Sequence, residues 1–250
     1  YNLLHRQGTL YDAKLDREIG TDFLSLPKSF YAKALDGVIG ISQCILNKHL
    51  ENGFFPHAKT TVIGNPIDEP IDIVTPQTAF PIRMGILGRI APEKGIENFL
   101  QSLSRVRNCP PWSLEIAGMG EDDYIAKLRH SASNMPVKWK GWQSSREFLA
   151  SLDLLVVPSR WHEPFGRIVV EAYSIGLPVL CLRRGAMPEL VIEGKTGWIV
   201  EQWAPHSIES AIANCRMLDR KFIRSTAEKY TVTEIAQQHL AFYRKLAESI

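Results

Sequence analysis

The chain has 250 residues, with 29 lysines plus arginines against 27 aspartates plus glutamates and a formal net charge of +2. So even a balance gives no basic face for a nucleic-acid partner. Hydrophobic residues make up 45% and charged residues 22%, an ordinary globular composition with no apolar run near the roughly 18–20 residues needed to cross a bilayer.

In chain order, Asn2-Leu3-Leu4 reads as a strand end with His5 just beyond it. A helix over Ser29–Leu35 leads to a buried strand over Asp36–Ser42, a helix over Gln43–Asn52 closed by Gly53, and a strand over Thr60–Gly64. Residues 1–66 therefore carry a strand–helix–strand rhythm, which resembles the C-terminal part of a Rossmann-like domain. Prolines at 66, 70, 76 and 81 make residues 67–81 a semi-rigid linker, because proline fixes φ and removes a donor. Residues 82–230 alternate regularly, with strands at Arg83–Leu87, Ser113–Ala117, Val137–Lys140, Leu154–Val157, Pro178–Leu182 and Gly197–Val200. Helices lie between them. The first carries an apolar stripe of Ile96, Phe99, Leu100, Leu103 and Val106; others cover Asp122–Ser133, Ser144–Ser151 and Ser207–Asn214. This alternation predicts an α/β fold: a doubly wound parallel sheet with helices on both faces. Residues 231–250 form a last helix, apolar at Ile235, Leu240, Tyr243 and Leu246. Cys44, Cys109, Cys181 and Cys215 form no C-x-x-C pair and read as reduced core residues of a cytoplasmic protein. The chain starts at Tyr1, inside what reads as folded sequence, and is expected to be part of something longer.

Three stretches carry chemistry. In Leu154–Val191, an apolar strand ends at Pro158, a polar loop follows, and Phe165-Gly166 opens a helix whose free N–H groups suit an anion. Glu163 lies in that loop. Glu171 lies mid-helix among apolar neighbours, so it either forms a structural salt bridge or accepts hydrogen bonds from ligand hydroxyls. In GRIAPEKG, Gly88–Gly95, Lys94 is predicted to open a helix where a cation is unfavourable. Either Glu93 compensates, or a ligand anion sits between Arg89, Lys94 and the helix end. In AGMG, Gly118 and Gly120 allow close backbone approach, and Gly141-Trp142 ends the following strand, placing an indole where it would either stack on a base or pack structurally. His162 has no companions at metal-ligand spacing, and no Ser-His-Asp order is present.

E-P-F-G-x-x-x-x-E-A, then G-L-P-V, then P-E-L-V, closely resembles the retaining glycosyltransferases of family 4, which have the GT-B fold. One departure is Gly185-Ala186, where the family often has two glycines. The resemblance implies that Arg89 and Lys94 bind the diphosphate of a UDP-, GDP- or ADP-sugar. Glu171 would hold the ribose hydroxyls, and Glu163, Phe165 and Gly166 the transferred sugar. Gly88, Gly118, Gly120, Arg167 and Ile168 would complete the donor site, with Gly141 and Trp142 at the base. His5 matches a histidine that faces the reacting sugar, so Glu163, Arg89, Lys94 and His5 are the implied catalytic set. IGNPID, Ile63–Asp68, matches the segment that closes the first domain. No cofactor or metal is implied. The acceptor would be a polysaccharide, lipopolysaccharide or other glycan or glycolipid, with peripheral membrane contact, at the inner face of the cytoplasmic membrane, through a preceding segment. Two alternatives stay open: a nucleotide-sugar epimerase of the same fold, and a nucleotide-sugar-binding module without activity of its own.

Overall fold

The computed structural model describes residues 10–12, 17–19, 35–68 and 80–248. Asn2–Leu4, His5, all but the last residue of the Ser29–Leu35 helix, and all but the ends of the 67–81 linker lie outside the described residues.

The described part of the first 66 residues holds two small sheets. Strands β1 (Leu10–Asp12) and β2 (Arg17–Ile19), not foreseen from the sequence, pair antiparallel. Strands β3 (Gly37–Gly40) and β4 (Lys59–Val62) pair parallel, joined through helix α1 (Gln43–Glu51). Ser42 caps α1, and the turn after it closes at Gly53 with φ +74°.

The larger unit runs β5 (Ile82–Leu87), α2 (Ile96–Leu103), β6 (Trp112–Ala117), α3 (Asp122–Ser131) and β7 (Val137–Gly141). It continues with α4 (Ser145–Ala150), β8 (Leu154–Val157), α5 (Arg167–Ser174), β9 (Val179–Leu182), α6 (Met187–Leu190) and β10 (Gly197–Val200). Helices α7 (Pro205–Asn214), α8 (Arg220–Ser225) and α9 (Val232–Ala247) complete it. All six strands are parallel, in the order β10-β9-β8-β5-β6-β7. The chain winds outward from β5 in one direction and resumes at β8 in the other. The loops after β5 and β8 therefore diverge and leave a crevice at the strands' carboxyl ends.

Strand β8 shows why the sheet is covered on both sides. Leu154 and Val156 enter one core with Met84, Phe99, Leu103 and Ile208. Leu155 and Val157 enter the opposite core with Phe148, Val169 and Tyr173. Successive side chains alternate faces, so an unbroken apolar strand requires two apolar partners. The stripe on α2 is buried as expected, Val106 included, although the helix itself stops at Leu103.

The last helix corrects the sequence reading. Leu240 and Tyr243 are each 54% exposed, whereas Phe242 is buried with Ile235 against Ile63. Phe242 and Leu246 lie seven and eleven positions after Ile235, close to whole turns of 3.6 residues, while positions 240 and 243 rotate well off that face. Helix α9 thereby docks on the β3–β4 part of the molecule.

At the amino end of β8, Asp153 is fully buried. Its carboxylate accepts the Arg83 backbone N–H at 2.9 Å, the Arg83 Nε–H at 3.3 Å and an Arg216 Nη2–H at 3.0 Å. Its carbonyl accepts from Arg220 at 3.3 Å. Burial alone would raise this carboxyl, but the hydrogen bonds from Arg216 and Arg83 outweigh it and hold the group below the usual aspartate range. Asp153→Asn should therefore destabilise the fold by about 3–5 kcal/mol, the cost of breaking a buried ion pair. A depressed carboxyl contributes stability above its unfolded value of about 3.9 and loses it as pH falls through the lower folded value. The gap between wild type and variant in denaturant unfolding should accordingly close in that acid range.

Candidate functional site

The crevice is assembled from three loops. After β5 the chain passes Gly88 and Arg89 into a short 3-10 turn, Pro92–Lys94, and Gly95 then starts α2 in a left-handed conformation at φ +67°. This corrects the expectation that Lys94 opens the helix. A Cβ on Gly95 would lie 2.2 Å from the Pro158 carbonyl oxygen, so the close passage of the β8 loop fixes both the glycine and the break. Lys94 thus sits outside the helix, and its ammonium pairs with Glu163 Oε1. Glu93, assigned from sequence as the possible compensator of Lys94, pairs instead with Arg89.

After β8, the buried Ser159 hydroxyl donates to the same Glu163 Oε1 at 3.0 Å. The Glu93 carbonyl accepts the N–H groups of Arg160 and Trp161 at 3.0 and 3.1 Å, stitching the two loops together. The loop after β9 joins them: Ala186 N–H donates to the Glu163 carbonyl at 2.8 Å, and Gly185 N–H to His162 Nδ1 at 3.3 Å. These bonds account for the Gly185-Ala186 departure. Gly185 has φ +55°, and a Cβ there would lie 2.4 Å from the Glu163 carbonyl oxygen. Ala186, at φ −80°, needs no glycine, and its amide is committed to the EPFG loop.

Helix α5 starts at Gly166, in a left-handed conformation at φ +85°, and no side chain caps it. One turn in, Arg167 Nε donates to Glu171 Oε1 at 2.7 Å, so the salt-bridge reading of Glu171 has its partner. A cavity of 590 Å³ is lined by Lys94, Glu163, Phe165, Gly166, Arg167 and Ile168, among others. Beside it, a cavity of 920 Å³ is lined by Gly118, Gly120, Tyr124 and Trp142. Gly88 and Arg89 line both, so Arg89 stands where they meet. Trp142 is 73% exposed at the rim, open for stacking.

Nearly all the residues expected to form the donor site are therefore brought together. Glu171 and Gly141 do not line either cavity: Glu171 lies behind Arg167, and the exposed Gly141 supports the wall only through its carbonyl, which accepts the Gly118 N–H at 2.7 Å. The glycines of AGMG have a packing cause. A Cβ on Gly118 would lie 1.7 Å from the Gly88 oxygen, and one on Gly120 would lie 2.1 Å from the Ile90 oxygen. His5 lies outside the described residues.

Sequence reasoning missed three participants, Asn65, Ser159 and Glu189, and gave Glu93 the wrong partner. Asn65, in IGNPID, contributes to the wall of the smaller cavity from the first part of the chain, and Ser159 fixes Glu163. Glu93 holds Arg89. Glu189, in the PELV segment, accepts the Gln43 and Cys44 N–H groups at 2.8 and 2.7 Å, so it caps α1 of the first part. The position of Ser159 in a polar loop was a usable signal; a partner 146 residues away was not.

A parallel sheet of this order, with cations and an uncapped helix start at its switch point, is a doubly wound α/β domain, and its fold is of the GT-B type seen in solved glycosyltransferases. The chain belongs to the family described as glycosyl transferases group 1, which it matches over residues 80–225. It is 33% identical, over 76% of its own length and 50% of the relative's, to an uncharacterised 42.6 kDa protein in the cps region of Klebsiella pneumoniae. It is also 33% identical to a glycogen synthase of Mycobacterium tuberculosis, over 68% of this chain and 43% of that protein. The chain thus spans about half the length of the curated relatives it matches. Anabaena Alr3699/HepE, solved in complex with UDP, shares the fold with a TM-score of 0.72 at 23% identity, over 84% of this chain and 64% of that one.

The Ser159–Glu163 bond offers a direct check of the site's construction. Ser159→Ala should lower the unfolding free energy by about 1.5–3 kcal/mol, the range for a hydrogen bond to a charged group. Unchanged denaturant unfolding would mean that Lys94 alone positions Glu163.

Proposed function

We propose that this chain supplies the donor side of a retaining glycosyltransferase of family 4, which moves a sugar from a nucleoside diphosphate sugar to a glycan or glycolipid acceptor. The observation that carries this reading is the convergence of Arg89, Lys94 and the uncapped start of α5 on one crevice at the sheet's switch point. Transfer requires negative charge developing on the departing diphosphate to be stabilised, and preorganised donors in a sheltered cavity do this without reorganising. Arg89 offers a planar fork and Lys94 a point charge. These cations take the part a metal ion would otherwise play, so the proposed reaction needs no metal or cofactor. Glu163, held by Ser159 and Lys94, faces the cavity as an acceptor for sugar hydroxyls, with Phe165, Gly166 and Ile168 as its floor. Glu171, which stands behind Arg167 here, is assigned to the ribose hydroxyls, and Trp142, in the cavity wall, is assigned to the base together with its neighbour Gly141. His5, outside the described residues, keeps the role that the family resemblance implies for it, facing the reacting sugar. A UDP-sugar is favoured as donor by the UDP seated in the Anabaena neighbour, and a lipopolysaccharide or related polysaccharide acceptor by the similarity to the lipopolysaccharide core biosynthesis glycosyltransferase LpsE of Rhizobium meliloti.

Four unpaired cysteines suit a reducing compartment. Burial pushes the Cys181 thiol up to about 12 and the Cys215 thiol up to about 11, which keeps both unreactive. Among the described residues no helix is long and apolar enough to cross a membrane.

Calorimetry with UDP and with uridine tests the diphosphate clasp. Arg89→Ala and Lys94→Ala should each weaken UDP binding by about 1.5–3 kcal/mol and leave uridine binding nearly unchanged. Equal losses for both ligands would assign these residues to the scaffold instead.

A further inference from the structure

Each cation of the site is already matched by a carboxylate of the same chain: Arg89 by Glu93, Lys94 by Glu163 and Arg167 by Glu171. The first pair differs from the others in which partner is able to move. The Arg89 side chain is 60% exposed, and that of Glu93 only 13%. Glu93 is also fixed through its backbone, because it lies in the 3-10 turn and its carbonyl accepts the Arg160 and Trp161 N–H groups. The mobile guanidinium is therefore held by an immobile carboxylate. Both residues line the larger cavity, and Arg89 alone of the two reaches the smaller one. The field of Glu93 extends into this space. The Tyr124 hydroxyl, in the wall of the same cavity, is held above its ordinary range by burial first and then by the negative charges of Glu97 and Glu93.

A diphosphate seated beside Arg89 meets a guanidinium that is not idle. What it gains is the difference between an arginine–phosphate and an arginine–carboxylate pair, both of which suit the planar fork. A neutral nucleoside displaces nothing and is indifferent to the exchange. We propose that Glu93 is an intramolecular counter-anion for Arg89: nucleoside diphosphates displace it on binding, and it reclaims the arginine as they leave. On the reading of the site given above, on which this rests, Glu93 lowers the affinity for donor and product alike and hastens release of the product diphosphate. A residue of this kind sets turnover without touching the transferred sugar.

The test is a gain of affinity, which loss of structure does not produce. UDP and uridine binding are measured by calorimetry, and UDP dissociation by stopped flow, for the 250-residue chain and its E93Q, R89A and R89A/E93Q variants. E93Q should bind UDP about two- to fivefold tighter, the scale of one partly exposed ion pair, through slower dissociation, with uridine affinity unchanged. In the R89A background the same substitution should give no gain, because the two residues act through one contact. Glu93→Asp keeps the charge and should stay close to wild type. Weaker or unchanged UDP binding by E93Q would overturn the proposal and make Glu93 a scaffold for Arg89. A gain that persists in R89A would overturn it in favour of a general electrostatic effect. If R89A itself binds UDP like wild type, the diphosphate reading fails independently of anything Glu93 does.

Discussion

The ion pair between Lys94 and Glu163 spans the point where the sheet reverses its winding direction. The loops after β5 and β8 diverge there, and nothing in the sheet itself holds them at a fixed separation. Lys94 from one loop and Glu163 from the other do so, with the buried Ser159 hydroxyl on the same carboxylate oxygen. An ion pair in a partly sheltered crevice is worth keeping only when its remaining donors and acceptors are occupied, which explains the extra hydroxyl. The Glu93 carbonyl and the close passage of Gly95 by Pro158 repeat the same constraint through the backbone. The cavity walls inherit their positions from these few contacts.

Two further carboxylates extend this order away from the crevice. Asp153 secures the amino end of β8 to Arg83 on β5 and to Arg216 and Arg220 of the C-terminal elements, so both ends of the central strand pair are pinned by charge. Glu189 links the opposite way. It follows the turn whose Ala186 amide is bonded to the Glu163 carbonyl, and it caps α1 of the first part of the chain. A continuous path of hydrogen bonds therefore runs from the loop after β8 to helix α1 in the first part of the chain. Asn65 and the Phe165–Tyr230 contact, with ring centroids 5.4 Å apart, lie along the same boundary.

The doubly wound domain was legible because unbroken apolar strands such as Leu154–Val157 alternate with amphipathic helices, and that pattern has few three-dimensional solutions. The site was legible where its residues share one loop, as Glu163, Phe165 and Gly166 do. What the sequence hid were relations between loops. Glu93 stands next to Lys94 in the chain, yet Lys94 takes its carboxylate from position 163, because Gly95 ends the turn and swings the ammonium toward the β8 loop. The glycines of AGMG line the larger cavity, and they also meet a packing need invisible in the sequence, the close approach of the backbone at Gly88 and Ile90. In α9 the apolar residues at 240 and 243 drew attention from Phe242, since counting apolar residues without their phase does not find the buried face.

The central claim is that the crevice between the β5 and β8 loops receives a nucleoside diphosphate. A crystal structure of the chain grown with UDP tests this most directly, since it locates the phosphates atom by atom. The account predicts a diphosphate between Arg89, Lys94 and the start of α5, the Arg89–Glu93 pair opened, and the base at the rim beside Trp142. UDP bound elsewhere, for instance against β4 and α9, or seated in the crevice with its phosphates turned away from Arg89 and Lys94, would contradict it.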